Sequence, residues 1–157
     1  MDRTNFPQRK HIRLPNFDYS SNGAYFITIC TKERKQILSQ IEKTISNEAF
    51  VSLLPMGKIV QQFILEIPKH YLEISLLSYV IMPDHVHILL YAKQNDDSIQ
   101  ISRIIKAFKR LSAKACGERI WQDRYNDHVI RNEMDLQTKI EYIETNPLRK
   151  LLKDEKL

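Results

Sequence analysis

The chain of 157 residues carries 24 Lys and Arg against 19 Asp and Glu, a formal net charge of +5, and 43% of its residues are hydrophobic. This length and apolar content predict one domain over residues 1–157, and the positive charge favours a polyanionic partner without identifying it. Cys30 and Cys116 form no CxxC pair, which argues against a disulfide framework or a zinc-thiolate cluster. No apolar run approaches the roughly 18 residues of a membrane span, so we expect a cytoplasmic protein.

The first half of the chain predicts a basic arm, a strand, a hairpin and a helix. Residues 1–23 form the basic N-terminal arm, which ends in a turn signal. Residues 24–31 are β-branched and aromatic and predict a central strand. Residues 37–54 predict a small hairpin. From Gly57 onward, apolar residues recur at helical spacing until Pro68, where we expect the helix to end.

The middle of the chain predicts a second hairpin followed by a second helix. Residues 72–82 and 85–92 are strands joined by a turn at Pro83, so we expect them to pair antiparallel. Asp96, Asp97 and Ser98 signal a helix start, and an apolar stripe follows as far as Gly117. One flank of this helix forms a basic edge, which consists of Arg103, Lys106, Arg110 and Lys114.

The last part predicts a short strand at 128–130 and a third helix that begins at Asn132. Pro147 is expected to end this helix near Asn146 and to leave a basic tail over 148–157. The order of elements predicts an α+β fold: a ferredoxin-like sandwich with a mostly antiparallel central sheet and helices packed on one face.

Two histidines, His85 and His87, lie two residues apart on the strand that follows Pro83. Because side chains alternate along a strand, both imidazoles point to one face, while Val86 and Ile88 point to the other. Two neutral imidazoles on one face supply half of a metal site. Two structural histidines would give the same pattern, so the motif alone leaves the metal site open.

The third helix presents Tyr142 and Asn146, four residues apart, with Lys139 one turn earlier. This spacing places a phenol and an amide oxygen on the same helical face. An amphipathic helix with a half-buried tyrosine and an asparagine cap would show the same spacing. Both interpretations therefore remain open from the residues alone.

Five segments follow one another along the sequence: GAYFITICT, SYVIMPDHVHILL, IIKAFKR, IWQDRYNDHVIRNEMDL and YIETNPLRK. Together they resemble the REP-associated tyrosine transposases. These are relatives of the small single-tyrosine HUH insertion-sequence transposases, in which HUH stands for His, hydrophobic residue, His. The resemblance extends over roughly residues 9–150.

The resemblance implies that His85 and His87 bind a divalent metal, Mg²⁺ or Mn²⁺, with Asn146 completing the site. It implies that Tyr142 is the nucleophile that cleaves and rejoins single-stranded DNA at hairpin-flanked sites through a 5′-phosphotyrosine intermediate. A phenol loses its proton near pH 10, so attack at neutral pH needs a more electrophilic phosphate, which a metal ion supplies. Lys139 is a candidate to favour the phenolate, and His128 is a second candidate supporting group.

The expected partner is single-stranded DNA or a REP-like DNA hairpin, bound by a monomer or a homodimer. Basic residues would hold the backbone, and two aromatic rings are candidates for stacking on unpaired bases. The candidate DNA-binding residues are Arg9, Lys10 and Arg13 in the arm, Arg103, Lys106, Arg110 and Lys114 on the second helix, and Trp121 and Tyr125. Trp121 fits the core equally well.

Two other functions compatible with the resemblance are a domesticated hairpin-binding protein without cleavage and an HUH replication-initiator or relaxase-type nuclease. A two-histidine phosphoesterase needs a second His-x-Ser or His-x-Thr element, which the sequence lacks. The sequence assigns no role to Asp127 or Arg131, and His128 fits a structural role as well as a supporting one.

Overall fold

A computed structural model describes residues 23–93 and 98–155 of the chain. The strands are β1 (Ala24–Cys30), β2 (Ser39–Lys43), β3 (Ala49–Leu53), β4 (Ile74–Ile81), β5 (His85–Ala92) and β6 (Asn126–Val129). The helices are α1 (Pro55–His70), α2 (Ser98–Cys116) and α3 (Glu133–Glu155). The predicted basic arm and the helix-start residues Asp96 and Asp97 lie outside the described residues.

Four strands form the main sheet in the order β4-β5-β1-β6, and every neighbouring pair is antiparallel. The chain enters this sheet as strand, helix, two strands, helix, strand, which is the ferredoxin-like arrangement predicted from the sequence. The predicted hairpin is also confirmed, since β2 pairs with β3 in a separate two-stranded sheet. The α+β class and the antiparallel sheet are therefore confirmed.

One face of the main sheet is covered by α1 and α2. Because β1 and β5 pair in register with Ile27 opposite Ile88, alternate residues of both strands form one continuous apolar surface. The side chains of this core include Ile27, Ile29, Val86, Ile88 and Leu90 from the strands, and Val60, Ile64, Ile104, Ile105 and Phe108 from the helices. This core holds the sheet rigid beneath the opposite face.

The opposite face is covered by α3, so the expectation that all helices pack on one face is wrong for this helix. Leu136, Ile140 and Ile143 of α3 pack against Phe26 and Leu89 of the sheet. The alternation that buries Ile88 on one face of the sheet places Leu89 on the other face. Both faces of β5 therefore carry apolar side chains that must be shielded from water. This second core lies on the same face as the two strand histidines.

Two helices continue through prolines that were expected to end them. In α1, Pro68 lies in the final turn, and Tyr71 N–H still donates to the Ile67 carbonyl at 3.0 Å, so the helix reaches His70. In α3, Pro147 is followed by two more turns, so residues 148–155 are helical and do not form a tail. An interior proline costs a helix about 3 kcal/mol, while each buried aliphatic side chain contributes about 1.5–3 kcal/mol. The burial of the apolar side chains of α3 therefore offsets the cost of Pro147.

Within the described residues, no helix is both long and apolar enough to cross a membrane.

Candidate active site

The two strand histidines lie side by side on the sheet face that α3 covers. The ring centroids of His85 and His87 are 4.7 Å apart, and Phe26 of β1 stacks on His87 at 5.0 Å. The side chain of His85 is 16% exposed, and His87 is 4% exposed. Because β5 is hydrogen-bonded on both sides, by β1 and β4, the backbone that carries the pair has little freedom to move.

The Nδ1 atom of each imidazole has a hydrogen-bond partner. His85 Nδ1–H donates to Asp84 Oδ1 at 2.7 Å, and His87 Nδ1 shares a hydrogen bond with Thr28 Oγ1 at 2.9 Å. Arg34 Nε in turn donates to Asp84 Oδ2 at 3.0 Å. Partners at Nδ1 orient the rings so that their Nε2 atoms are the ones left for a further ligand.

Burial and charge keep both imidazoles neutral. Burial, together with the nearby charges of His85, Arg149 and Arg34, lowers the pKa of His87 to about 3. Burial also lowers the pKa of His85, although Asp84 opposes this. Burial alone would raise the pKa of Asp84, but hydrogen bonds from His85 and Arg34 outweigh it and hold that pKa below its usual value. Neutral imidazoles beside an ionised carboxylate are the forms that a metal site requires.

The Nε2 atom of His87 is buried without a hydrogen-bond partner, and it is the one side-chain polar atom in this state among the described residues. A buried polar atom without a partner costs about 1–3 kcal/mol, so such an atom points to a ligand. Residues 23–93 and 98–155 contain no group of three His, Cys, Asp or Glu that would hold a metal by themselves. A metal here would depend on His85 and His87, with an amide such as Asn146, which is 7% exposed. That donor set fits a divalent ion.

Tyr142 of α3 lies directly against the histidine pair. Its ring centroid is 5.3 Å from that of His87 and 6.0 Å from that of Phe26, in edge contacts, and the residue is 41% exposed. A phenol that contacts a buried imidazole on one side and solvent on the other is accessible to a large substrate. The predicted association of Tyr142 with the histidines is therefore present in the fold.

The start of α3 is tied to the sheet, which fixes where Tyr142 falls. Asn132 caps the helix, since its Oδ1 accepts from Asp135 N–H at 2.8 Å, as the sequence predicted. The carboxylate of Asp135 accepts from His128 Nε2 on β6 at 2.8 Å and from Arg131 N–H at 3.2 Å. His128 therefore joins β6 to α3, and this contact gives it a structural role.

The cation in contact with Tyr142 is Arg149, which the sequence placed in a tail beyond the helix. Its guanidinium carbon lies 3.9 Å from the Tyr142 ring centroid, and one of its nitrogens donates to the Tyr142 carbonyl oxygen at 2.7 Å. Lys139 Nζ, the group expected to favour the phenolate, lies 3.9 Å from Asp135 Oδ1 and 5.7 Å from the Phe26 centroid, and its role stays a prediction.

All four residues of the predicted basic edge lie on α2 and are exposed: Arg103, Lys106, Arg110 and Lys114. With the loop at 117–123, the second half of α2 borders a groove of about 650 Å³, whose cationic lining includes Lys106, Lys109, Arg110, Lys114 and Arg119. This groove lies on the α2 side of the sheet, not on the α3 side. Its loop reaches the end of β1, where Lys32 N–H donates to the Ile120 carbonyl at 2.8 Å.

Trp121 is a core residue, which is one of the two positions that the sequence left open for it. It is 5% exposed, packs near Phe108 with ring centroids 5.9 Å apart, and donates from Nε1 to Ser112 Oγ at 2.9 Å. A tryptophan that buries its ring and satisfies its N–H has no free face for a base. Tyr125 is partly buried against the same core, and its stacking role stays a prediction. Arg9, Lys10 and Arg13 lie outside the described residues.

Sequence reasoning missed Thr28, Arg34 and Arg149. Thr28 shares the face of Phe26 by strand alternation, but only the register, in which it lies opposite His87, reveals its role. Arg34 reaches Asp84 from a turn in which both Glu33 and Arg34 have positive φ values. No sequence motif predicts this turn. Arg149 lies seven residues after Tyr142, which is about two helical turns. Its proximity to Tyr142 follows from the sequence only if the helix continues past Pro147.

The fold and the site together define an antiparallel α+β protein with paired imidazoles facing a tyrosine on a covering helix. The family model for IS200-like transposases matches residues 19–146. A REP-associated tyrosine transposase of Escherichia coli (strain K12) is 24% identical over 132 residues, which cover 83% of this chain and 70% of the relative. An uncharacterised protein of Haemophilus influenzae is 28% identical over 164 residues, a match that covers 89% of this chain and 88% of the relative.

A solved structure of a REP-associated tyrosine transposase bound to a REP hairpin has the same fold. The TM-score is 0.58 at 23% identity, and the match covers 88% of this chain and 74% of that one. Because the family model covers most of the chain, the protein belongs to the IS200-like transposase family. The resemblance to REP-associated tyrosine transposases that the sequence predicted is confirmed.

Proposed function

We propose that this protein is a metal-dependent single-stranded DNA transesterase that cleaves and rejoins DNA beside hairpins through a 5′-phosphotyrosine intermediate. The observation that carries the proposal is the buried, unpartnered Nε2 of His87 next to the ring of Tyr142. A protein that only bound DNA would have no use for an imidazole nitrogen kept free in a buried position at the cost of a hydrogen bond.

The residues divide the work by their chemistry. His85 and His87 would hold the ion through Nε2, because Asp84 and Thr28 occupy Nδ1, and Asn146 would add an amide oxygen. A divalent ion held by these residues would supply Lewis-acid activation of the phosphate and of the leaving oxygen. The ion pair of Asp84 with Arg34 keeps the carboxylate ionised, so that it accepts a hydrogen bond from His85 Nδ1–H and does not take up the proton.

The tyrosine provides the nucleophile. The phenol oxygen of Tyr142 attacks the phosphorus and loses its proton to solvent, and the bond from phosphorus to the 3′ oxygen breaks. The 3′ oxygen takes up a proton and leaves as a free 3′-hydroxyl, while the 5′ phosphate stays on Tyr142. The reverse attack by a 3′-hydroxyl from another DNA end rejoins the strands without an external energy source.

The basic groove beside α2 is the proposed path for the DNA backbone. Its cations would neutralise phosphates, and the loop 117–123 links the groove to the end of β1 next to Asp84. A strand that leaves the histidine pair at this end of the sheet can follow the groove. The partner proposed is a hairpin with a single-stranded flank, by likeness to the relative solved with a REP hairpin.

The test uses end-labelled DNA hairpins with single-stranded flanks, taken from the sequence around the gene, incubated with the protein and Mn²⁺. Cleavage with a covalent protein–DNA adduct is expected for the natural chain. Tyr142→Phe should bind the hairpin but form no adduct, and His87→Ala should lose Mn²⁺ binding as well. The Thr138→Val variant, changed at an exposed hydroxyl of α3, is the control and should cleave normally.

Three outcomes would contradict the proposal. An adduct that survives Tyr142→Phe would assign the nucleophile to another residue. Cleavage that persists equally in EDTA would refute the metal. Tight hairpin binding without cleavage by the natural chain under every divalent ion tested would favour the alternative, a domesticated hairpin-binding protein.

A further inference from the structure

The nucleophile candidate Tyr142 contacts both an imidazole and a guanidinium. His87 and Tyr142 form an edge contact, with ring centroids 5.3 Å apart and ring planes at 73°. Arg149 lies over the ring face at 3.9 Å from the centroid. A guanidinium at this distance is attracted by the negative face of the ring, and its planar shape suits stacking. Tyr142 is 41% exposed, and within the described residues its ring contacts include Phe26, His87 and Arg149.

A second contact fixes the guanidinium itself. A terminal nitrogen of Arg149 donates to the backbone carbonyl of Tyr142 at 2.7 Å. The side chain therefore binds the backbone and the ring of the same residue, and its position over the ring is defined by a directional hydrogen bond. The neighbouring cation, Lys150, instead pairs with Asp154 at 3.1 Å.

The helix geometry explains why this contact exists. Seven residues advance a helix by about 10.5 Å and return to nearly the same side, and long helical side chains lean toward the N-terminus. Arg149 consequently reaches back over Tyr142 provided that α3 remains helical across Pro147. Asn146 and Pro147 are both buried, which keeps the helix on the sheet at this point.

We propose that Arg149 is a positioning residue, which holds the ring of Tyr142 in one orientation against His87 and so aims the phenol oxygen at the site beside the histidines. The holding of the ring is a property of the chain alone. Its consequence for DNA cleavage rests on the proposed function. Restricting an exposed side chain to one rotamer before substrate binds removes an entropy cost from the reaction step, so the effect belongs on the rate.

The first measurement reports on the ring without DNA or metal. Three-bond couplings from Tyr142 Cγ to the backbone nitrogen and carbonyl carbon measure the χ1 rotamer populations by NMR. The natural chain should show one rotamer, and Arg149→Ala should show averaging over at least two. Lys150→Ala removes the adjacent positive charge without touching the ring, so it should retain the couplings of the natural chain. Unchanged couplings in Arg149→Ala would overturn the proposal.

The second measurement is single-turnover cleavage at saturating DNA. Arg149→Ala should be slower by about 10- to 100-fold, the loss expected for a displaced reacting group, while the Kd for the hairpin changes by less than about threefold. Added guanidinium ion should restore part of the rate. A rate equal to that of the natural chain would overturn the role in aiming the phenol, as would a loss confined to DNA affinity.

The two measurements separate failure of this proposal from failure of the proposed function. Should the natural chain cleave no DNA, the proposed function fails, whereas the couplings still decide whether Arg149 holds the ring. Urea unfolding of Arg149→Ala completes the design. A variant with the stability of the natural chain and averaged couplings supports positioning, and one whose couplings average only because α3 unfolds contradicts it.

Discussion

The hydrogen bond between Thr28 and His87 offers a direct test of the metal-site geometry. Replacing Thr28 with Val keeps the shape of the side chain and removes the oxygen that Nδ1 contacts at 2.9 Å. His87 is 4% exposed, so water has little access to replace the lost partner. The imidazole then has no buried partner at either nitrogen, since Nε2 already lacks one.

The expected magnitudes follow from that burial. A buried donor left without an acceptor costs about 1–3 kcal/mol in the free energy of unfolding. For a chain of this size, that loss lowers the unfolding midpoint by roughly 2–12 °C. Because the ring is no longer held with Nε2 toward the site, the affinity for Mn²⁺ should fall by about 10- to 100-fold, as it does when other outer-shell partners of metal ligands are removed.

Two assays test this reasoning: thermal unfolding without metal, and Mn²⁺ binding followed by electron paramagnetic resonance. Thr138→Val removes an exposed hydroxyl that donates to the Met134 carbonyl at 2.8 Å, and it should change neither quantity. If Thr28→Val is destabilised while its Mn²⁺ affinity equals that of the natural chain, the bond is structural only. That result would refute the inference that Thr28 orients His87 Nε2 toward a metal ion.

Two further predictions concern stability. His87, whose pKa is about 3 in the fold and near 6.5 when unfolded, binds a proton between these values only in the unfolded chain, so metal-free protein should lose stability as the pH falls below 6.5. The loss is about 2 kcal/mol at pH 5 by urea unfolding, and an equal slope in His87→Gln would refute its assignment to this residue. Gly57→Ala should lose about 1–3 kcal/mol despite the better helix propensity of alanine, because its methyl group would overlap the Leu38 carbonyl. A stabilised variant in the same assay would show that there is room for a methyl group between Gly57 and the Leu38 carbonyl.

The elements with strong local patterns were predictable from the sequence. The strand pair around His85 and His87, the hairpin of β2 and β3, and the cap of α3 at Asn132 all follow from alternation, turn residues and capping chemistry. The placement of both imidazoles on one face also follows, because alternation holds whatever the strand pairs with.

What the sequence could not supply depends on tertiary packing. Pro147 is a reliable helix breaker in isolation, and only the burial of α3 against the sheet reverses that expectation, which in turn brings Arg149 to Tyr142. The core position of Trp121 depends on Ser112 lying within reach of its indole N–H, a contact between an α2 residue and a loop residue. Likewise, the face on which α3 packs depends on sheet order, which local periodicity does not encode.

The phenol of Tyr142 and the imidazole of His87 that it contacts belong to one polypeptide. Under the proposed reaction, one molecule carries both the metal ligands and the nucleophile, and no helix has to be exchanged between copies. Mixing a copy that lacks the tyrosine with a copy that lacks the histidine would accordingly restore nothing. Under the same proposal, joining the 5′ phosphate held on Tyr142 to another DNA end needs only a free 3′-hydroxyl at that site.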